Sequence, residues 1–173
     1  VWFTSKCDPA NFVRGSGNDI DAATANLFAM HNRMHDWSYH LGFDEEHWNA
    51  QTAPGGLTRQ PWNPAGTPTV HGDPLIGNAQ AAAISGGFPT YSGRDHANMG
   101  TQPDGTSSTT NMFLWQSLAG AFYAPCVDGD YDMSVIGHEF GHMVENRMIG
   151  KGGRRADHHA GAMGESFGDL NGM

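Results

Sequence analysis

Three stretches of this chain carry apolar positions at helical spacing. From Ala22 to Leu41, the residues Ala23, Leu27, Met30, Met34, Trp37 and Leu41 alternate steps of four and three, which is one helical face. Asp19 and Asp21 offer side-chain caps before that run, and Gly42 is a natural stop after it. A second helix is predicted from Asp132 onward. Asp132 or Ser134 can cap it, Val135 and Ile136 open its apolar side, and Arg147 suits a last turn before Gly150. A glycine- and arginine-rich loop, Lys151 to Arg155, follows, and a short third helix is predicted over Ala162 to Leu170.

The remaining pattern is less regular. Residues 1 to 18 read as an extended lead-in. Residues 51 to 110 hold seven of the nine prolines and ten glycines, near the share at which disorder sets in. Yet Trp62, Val70, Leu75, Ile76, Ile84, Phe88 and Tyr91 are spread through them, which predicts ordered loops with short strands rather than a linker. Asn111 to Gln116 is the best strand candidate. There is no internal repeat, no low-complexity tract and no Asn-x-Ser/Thr sequon.

Length and charge narrow the classes. The chain has 173 residues, the size of about one domain. Nine Lys and Arg against eighteen Asp and Glu give a net charge of −9, which argues against a nucleic-acid binder. Lys6 and Lys151 are the only lysines, so there is no polybasic membrane patch. Apolar runs such as Met112 to Trp115 fall far short of the roughly 20 residues that span a bilayer. These features predict a soluble chain without a membrane partner. No signal peptide opens it, as in a mature or cytosolic form. Cys7 and Cys126 fit either one disulfide across a long loop or two free thiols. The ten histidines change the picture most, because histidine is the commonest metal ligand.

Their placement is not random. His138-Glu139-Phe140-Gly141-His142 is H-E-x-x-H on a predicted helix. Residues four apart share a face, so both imidazoles can bind one metal, and Glu139 is placed to reach a water rather than the metal. With a third protein ligand, zinc keeps its fourth position for water. The metal lowers the pKa of that water, Glu139 takes its proton, and the oxygen attacks a polarised carbonyl. Composition alone would yield the three-letter match in roughly 2% of such chains, so context matters. Glu165 lies 23 residues after His142 on the next predicted helix and supplies a third ligand. Asp169, four residues further on, can accept a hydrogen bond from a ligating imidazole.

Other clusters are weaker. His31 and His35 are also four apart, but no acid stands in the base position, and they read as structural histidines beside Asp36. Asp128, Asp130 and Asp132 resemble the start of a calcium loop, but Met133 stands where that loop needs Gly. Calcium held by some other carboxylate cluster is left open, without a clear motif. His158 and His159, in the loop before Glu165, are candidate donors to a developing oxyanion, with solvent-exposed loop histidines as the alternative.

These residues together resemble the fungalysin family of secreted zinc metallopeptidases, relatives of the thermolysin-like gluzincins. Asn26-Leu27-Phe28, His35-Asp36, Tyr39 and Gly42-Phe43 are similar to that family's first helix. Gly93 to Asn98 followed by Pro103-Asp104-Gly105, Asp128 to Asp132 leading into the zinc motif, and Gly161 to Asp169 are similar to its later segments. The resemblance implies His138, His142 and Glu165 as ligands of one zinc ion, Glu139 as general base and Asp169 as the partner of His138. It implies that His96, Ala97 and Asn98 form an edge strand pairing with substrate backbone.

The implied fold is α+β and zincin-like, a twisted mixed sheet above the zinc helix with mostly helical structure after it. Residues 1–173 would form one partial peptidase domain without a second domain. Residues 1–130 would give the first helix, loops and sheet, and 131–173 the zinc-site helices. A propeptide and a C-terminal part of the domain are implied as partners outside this chain, the latter carrying the other cleft wall and a histidine for the transition state. The implied function is extracellular zinc-dependent endopeptidase activity on polypeptides. The rival readings are a non-catalytic zinc-binding fragment and an aminopeptidase. An aminopeptidase needs an acidic group for the substrate amine, and the sequence places none.

Overall fold

The computed structural model describes residues 20–44, 47–51, 72–82, 93–115, 127–150 and 158–173. The lead-in segment, the loop at Lys151 to Arg155, both cysteines, Gln116, and Trp62, Val70, Ile84, Phe88 and Tyr91 lie outside those residues. The chain is mixed helix and sheet. Helix α1 spans Ile20–His40 and ends where predicted, with Gly42 at φ 104° and the Phe43 amide closing on the Ser38 carbonyl. A positive φ is the left-handed geometry that a glycine C-terminus supplies. Its buried stripe is Ala23, Leu27, His31, Met34 and Ser38, rotated from the predicted face. Trp37 and Leu41 are exposed, contrary to expectation. The rotated stripe brings in His31, which packs over Gly77, and Ser38, whose hydroxyl donates to the Met34 carbonyl.

The strands are short. A mixed sheet has the order β1–β3–β2, with β1 (Ile76–Asn78) parallel and β2 (Ala97–Gly100) antiparallel to β3 (Thr109–Met112). Asn98, Asn111 and Asn78 form a side-chain ladder across its exposed face, while Thr110 and Met112 are buried on the other. The expected single strand over Asn111 to Gln116 instead divides at Phe113. Its second part, β4 (Leu114–Trp115), pairs with β5 (Val127–Asp128) in a separate two-stranded sheet. The Phe113 carbonyl turns to accept from the Gly129 amide, outside both ladders.

Helix α2 (Met133–Gly150) is the centre of the arrangement. Asp132 is its cap, accepting from the Ser134 amide at 2.9 Å and hydroxyl at 2.6 Å. Phe140, Met143 and Val144 pack with Met34, Phe43 and Ala50, and Ile136 packs with Leu27 and Met112. Helix α3 (His158–Gly172) lies along α2. It is longer than the predicted 162–170, and His158 and His159 open it rather than sitting in a loop. Its glycines each cost about 1 kcal/mol of helix propensity. They also let α3 approach closely: a Cβ on Gly168 would stand 2.9 Å from the His138 ring, and one on Gly141 of α2 3.1 Å from the Gly168 Cα. Close packing therefore outweighs local propensity.

Candidate metal centre

The four-residue spacing on α2 turns His138 and His142 to one face, their ring centroids 4.6 Å apart and edge-on. The close seating of α3 brings Glu165 over both rings. Glu165 Oε2 lies 3.2 Å from His138 Nε2 and 3.6 Å from His142 Nε2. One ligand atom from each of the three residues falls within 4.8 Å of the others, so the group could hold a metal ion. On the far side of the ring, His138 Nδ1 lies 2.9 Å from Asp169 Oδ1. A proton given to Asp169 there leaves Nε2 with its lone pair toward Glu165. In that tautomer His138 Nε2 and the Glu165 carboxylate are both acceptors, a pair that a cation between them would satisfy.

Glu139 sits beside this group and is 5% exposed. Its Oε2 is buried and has no hydrogen-bond partner among the described residues. Burial pushes its carboxyl up to about 7, opposed by the charges of His138 and His96 and reinforced by Glu165. The centre opens onto a cleft of about 430 Å³. Ala97, Asn98 and Thr101 form one wall, Glu139 and Glu145 of α2 the floor, and Gly161 and Gly164 of α3 the other wall.

The five predicted residues of the centre are thus together, and Ala97 and Asn98 line the cleft. His96 does not: β2 begins at Ala97, and the His96 ring stacks on Phe113 at 4.3 Å and donates through Nδ1 to the Ala97 carbonyl. The His158 side chain lies outside the described residues. His31 is buried and packs near Phe140, and burial lowers its pKa to about 4. His35 Nδ1 faces Asp36 at 3.3 Å. Asp128 accepts from the Asp130 amide and the Gln80 side chain, Asp130 accepts from the Gln80 amide, and Asp132 caps α2. These aspartates hold backbone and side-chain donors.

Two residues carry more than the sequence reading gave them. Glu145 lines the cleft, and its spacing of three from His142 and seven from His138 was the available signal. Arg147 stands in the last turn of α2 as predicted, and there it is fully buried in an ion pair with Asp73 at 2.7 Å.

Comparison with known proteins defines the class. The chain is 32% identical over 154 residues to "Extracellular metalloproteinase mep" of Aspergillus niger, covering 87% of this chain and 21% of that protein. It is 31% identical over 154 residues to the protein of the same name in Aspergillus flavus, covering 87% of this chain and 20% of that protein. With "Extracellular metalloproteinase 2" of Trichophyton tonsurans it shares 32% over 153 residues, 87% of this chain and 20% of that protein. These relatives are metalloproteinases, and the chain spans about a fifth of their length. The model of the fungalysin metallopeptidases (M36) matches residues 3–173, and the chain belongs to that family.

Proposed function

We propose that this chain carries the zinc centre and part of the cleft of a secreted zinc-dependent endopeptidase. His138, His142 and Glu165 are the ligands and Glu139 the general base. The observation that carries the reading is the meeting of three ligand atoms beside a buried, unpartnered carboxylate. A tetrahedral zinc site with bonds near 2.1 Å has ligand atoms about 3.4 Å apart. The two histidine–Glu165 separations, 3.2 and 3.6 Å, bracket that value. The domain is read as zincin-like, with residues 1–173 one part of a longer peptidase domain. The relatives' names support secretion.

Zinc bound there supplies Lewis acidity, which acidifies a water and polarises the scissile carbonyl. Asp169 holds the His138 ring in one tautomer. Glu139 accepts a proton as the water oxygen bonds to the carbonyl carbon, then delivers it to the amine nitrogen as the C–N bond breaks. Its burial suits the task, because a base with a pKa near the working pH transfers a proton in both directions. β2 ends the sheet order, so its outer edge, with Ala97 and Asn98, is placed to pair with substrate main chain.

The test is cleavage of an internally quenched peptide by the full-length protein, with zinc content measured alongside. Glu139→Gln is expected to keep zinc and lose turnover by about 10²–10⁴-fold. Parallel loss of zinc and activity, or unchanged turnover, would remove Glu139 as the base.

A further inference from the structure

We propose that Glu145 is a specificity-determining residue of this cleft, holding a cationic group of the substrate beside the scissile bond. The inference rests on the peptidase reading and deepens it. Glu145 is 8% exposed and lines the cleft, yet its carboxylate has no hydrogen bond or ion pair with any described residue. A buried carboxylate is costly unless something pairs with it. No Lys or Arg is among the described residues that line the cleft. The two histidines there, His138 and His142, are already directed at Glu165. Among the described residues, then, Glu145 presents to the cleft a carboxylate that nothing pairs with.

The surroundings fit a long cationic side chain. Glu145 is three residues beyond His142 on the same face of α2, a rise of about 4.5 Å from that ligand. That lies between one and two steps, about 3.3 Å each, of an extended peptide. The α3 wall opposite is stripped of side chains at Gly161 and Gly164, leaving the methyl of Ala160 and, toward the metal centre, Glu165. A Cβ on Gly164 would stand 2.8 Å from Glu145 Oε2, so the carboxylate occupies the notch that this glycine leaves. The cation it takes is an ammonium or guanidinium, carried by a Lys or Arg side chain or by the free amine of a peptide terminus.

The experiment uses the full-length, zinc-loaded protein. Matched quenched peptides vary each residue flanking the cleaved bond among Lys, norleucine and Glu. Expected is a kcat/KM preference for Lys over norleucine at one position of about tenfold to a hundredfold. Glu145→Gln should bring that ratio close to one, and Glu145→Asp should restore part of it. Acetylating the amine of a peptide cut beside its terminus distinguishes the two sources. Loss of preference on acetylation assigns the terminal amine, and retention assigns the side chain. Peptides that are cleaved with the same Lys-to-norleucine ratio by wild type and Glu145→Gln would overturn the inference.

A second arm measures peptide binding by calorimetry in the Glu139→Gln background, with and without Glu145→Gln. If wild type cleaves no peptide, the peptidase reading fails, and this arm still decides the role of Glu145. Tighter binding of the Lys peptide that depends on Glu145 supports it, and equal binding of both peptides refutes it.

Discussion

Arg147→Met is expected to destabilise the protein by about 3–5 kcal/mol, the usual cost of breaking a buried ion pair from one side. The geometry supports the upper part of that range. The guanidinium donates to Asp73 Oδ2 at 2.7 Å and to the carbonyls of Trp48, Asn49, Gln102 and Thr106 at 2.9–3.1 Å. Removing it strands a carboxylate whose burial already raises its pKa against the opposing influence of Arg147. It also releases Trp48, a non-glycine residue held at φ 63°.

The assay is denaturant unfolding of wild type, Arg147→Met, Asp73→Asn and the double variant. The double variant should recover part of the loss, because no orphan charge remains. The sign with pH is fixed as well. Without Arg147, the folded-state pKa of Asp73 climbs further above its unfolded value, so the deficit shrinks as pH falls and Asp73 protonates. A loss under about 1 kcal/mol, strict additivity, or a deficit that grows in acid would refute this account. Because Gln102 follows Thr101 on the cleft wall, KM for peptides should rise in the same variant.

Asp169→Asn is expected to weaken metal binding about 10–100-fold, read by chelator competition, and an unchanged affinity would detach Asp169 from His138. Gly168→Ala should cost about 1–3 kcal/mol and lower metal affinity, since its Cβ meets the His138 ring. Gly161→Ala, whose Cβ meets nothing within 4 Å, should be neutral or stabilise by up to about 1 kcal/mol; equal effects would deny the close helix seating. His31 has a folded pKa of about 4 against an ordinary 6.5, so acidification favours the unfolded state, which protonates first. Stability tied to His31 should fall between about pH 6.5 and 4, on the order of 3 kcal/mol in all. The difference between wild type and His31→Leu across urea titrations isolates that contribution, and a flat difference would disprove it.

Much of the centre was legible in the sequence because its spacings are local. A helix turns 100° per residue whatever surrounds it, so His138 and His142 had to share a face, as did Glu165 and Asp169. Gly42 and Asp132 marked helix ends because left-handed backbone and an amide-accepting side chain are local chemistry. The short strands were not legible, since two to four residues hold no period and their partners lie far along the chain. Nor was the reach of α3, predicted over 162–170 and found over His158–Gly172, where it lies along α2.

The sequence by itself determined which groups could meet a metal. Only the tertiary structure decided that Glu165 closes over both histidines, that burial raises the Glu139 pKa, that Arg147 is buried on Asp73, and that Glu145 faces the cleft without a partner among the described residues. Those outcomes depend on which surfaces exclude water together, and desolvation is a property of the packed assembly rather than of any spacing along the chain.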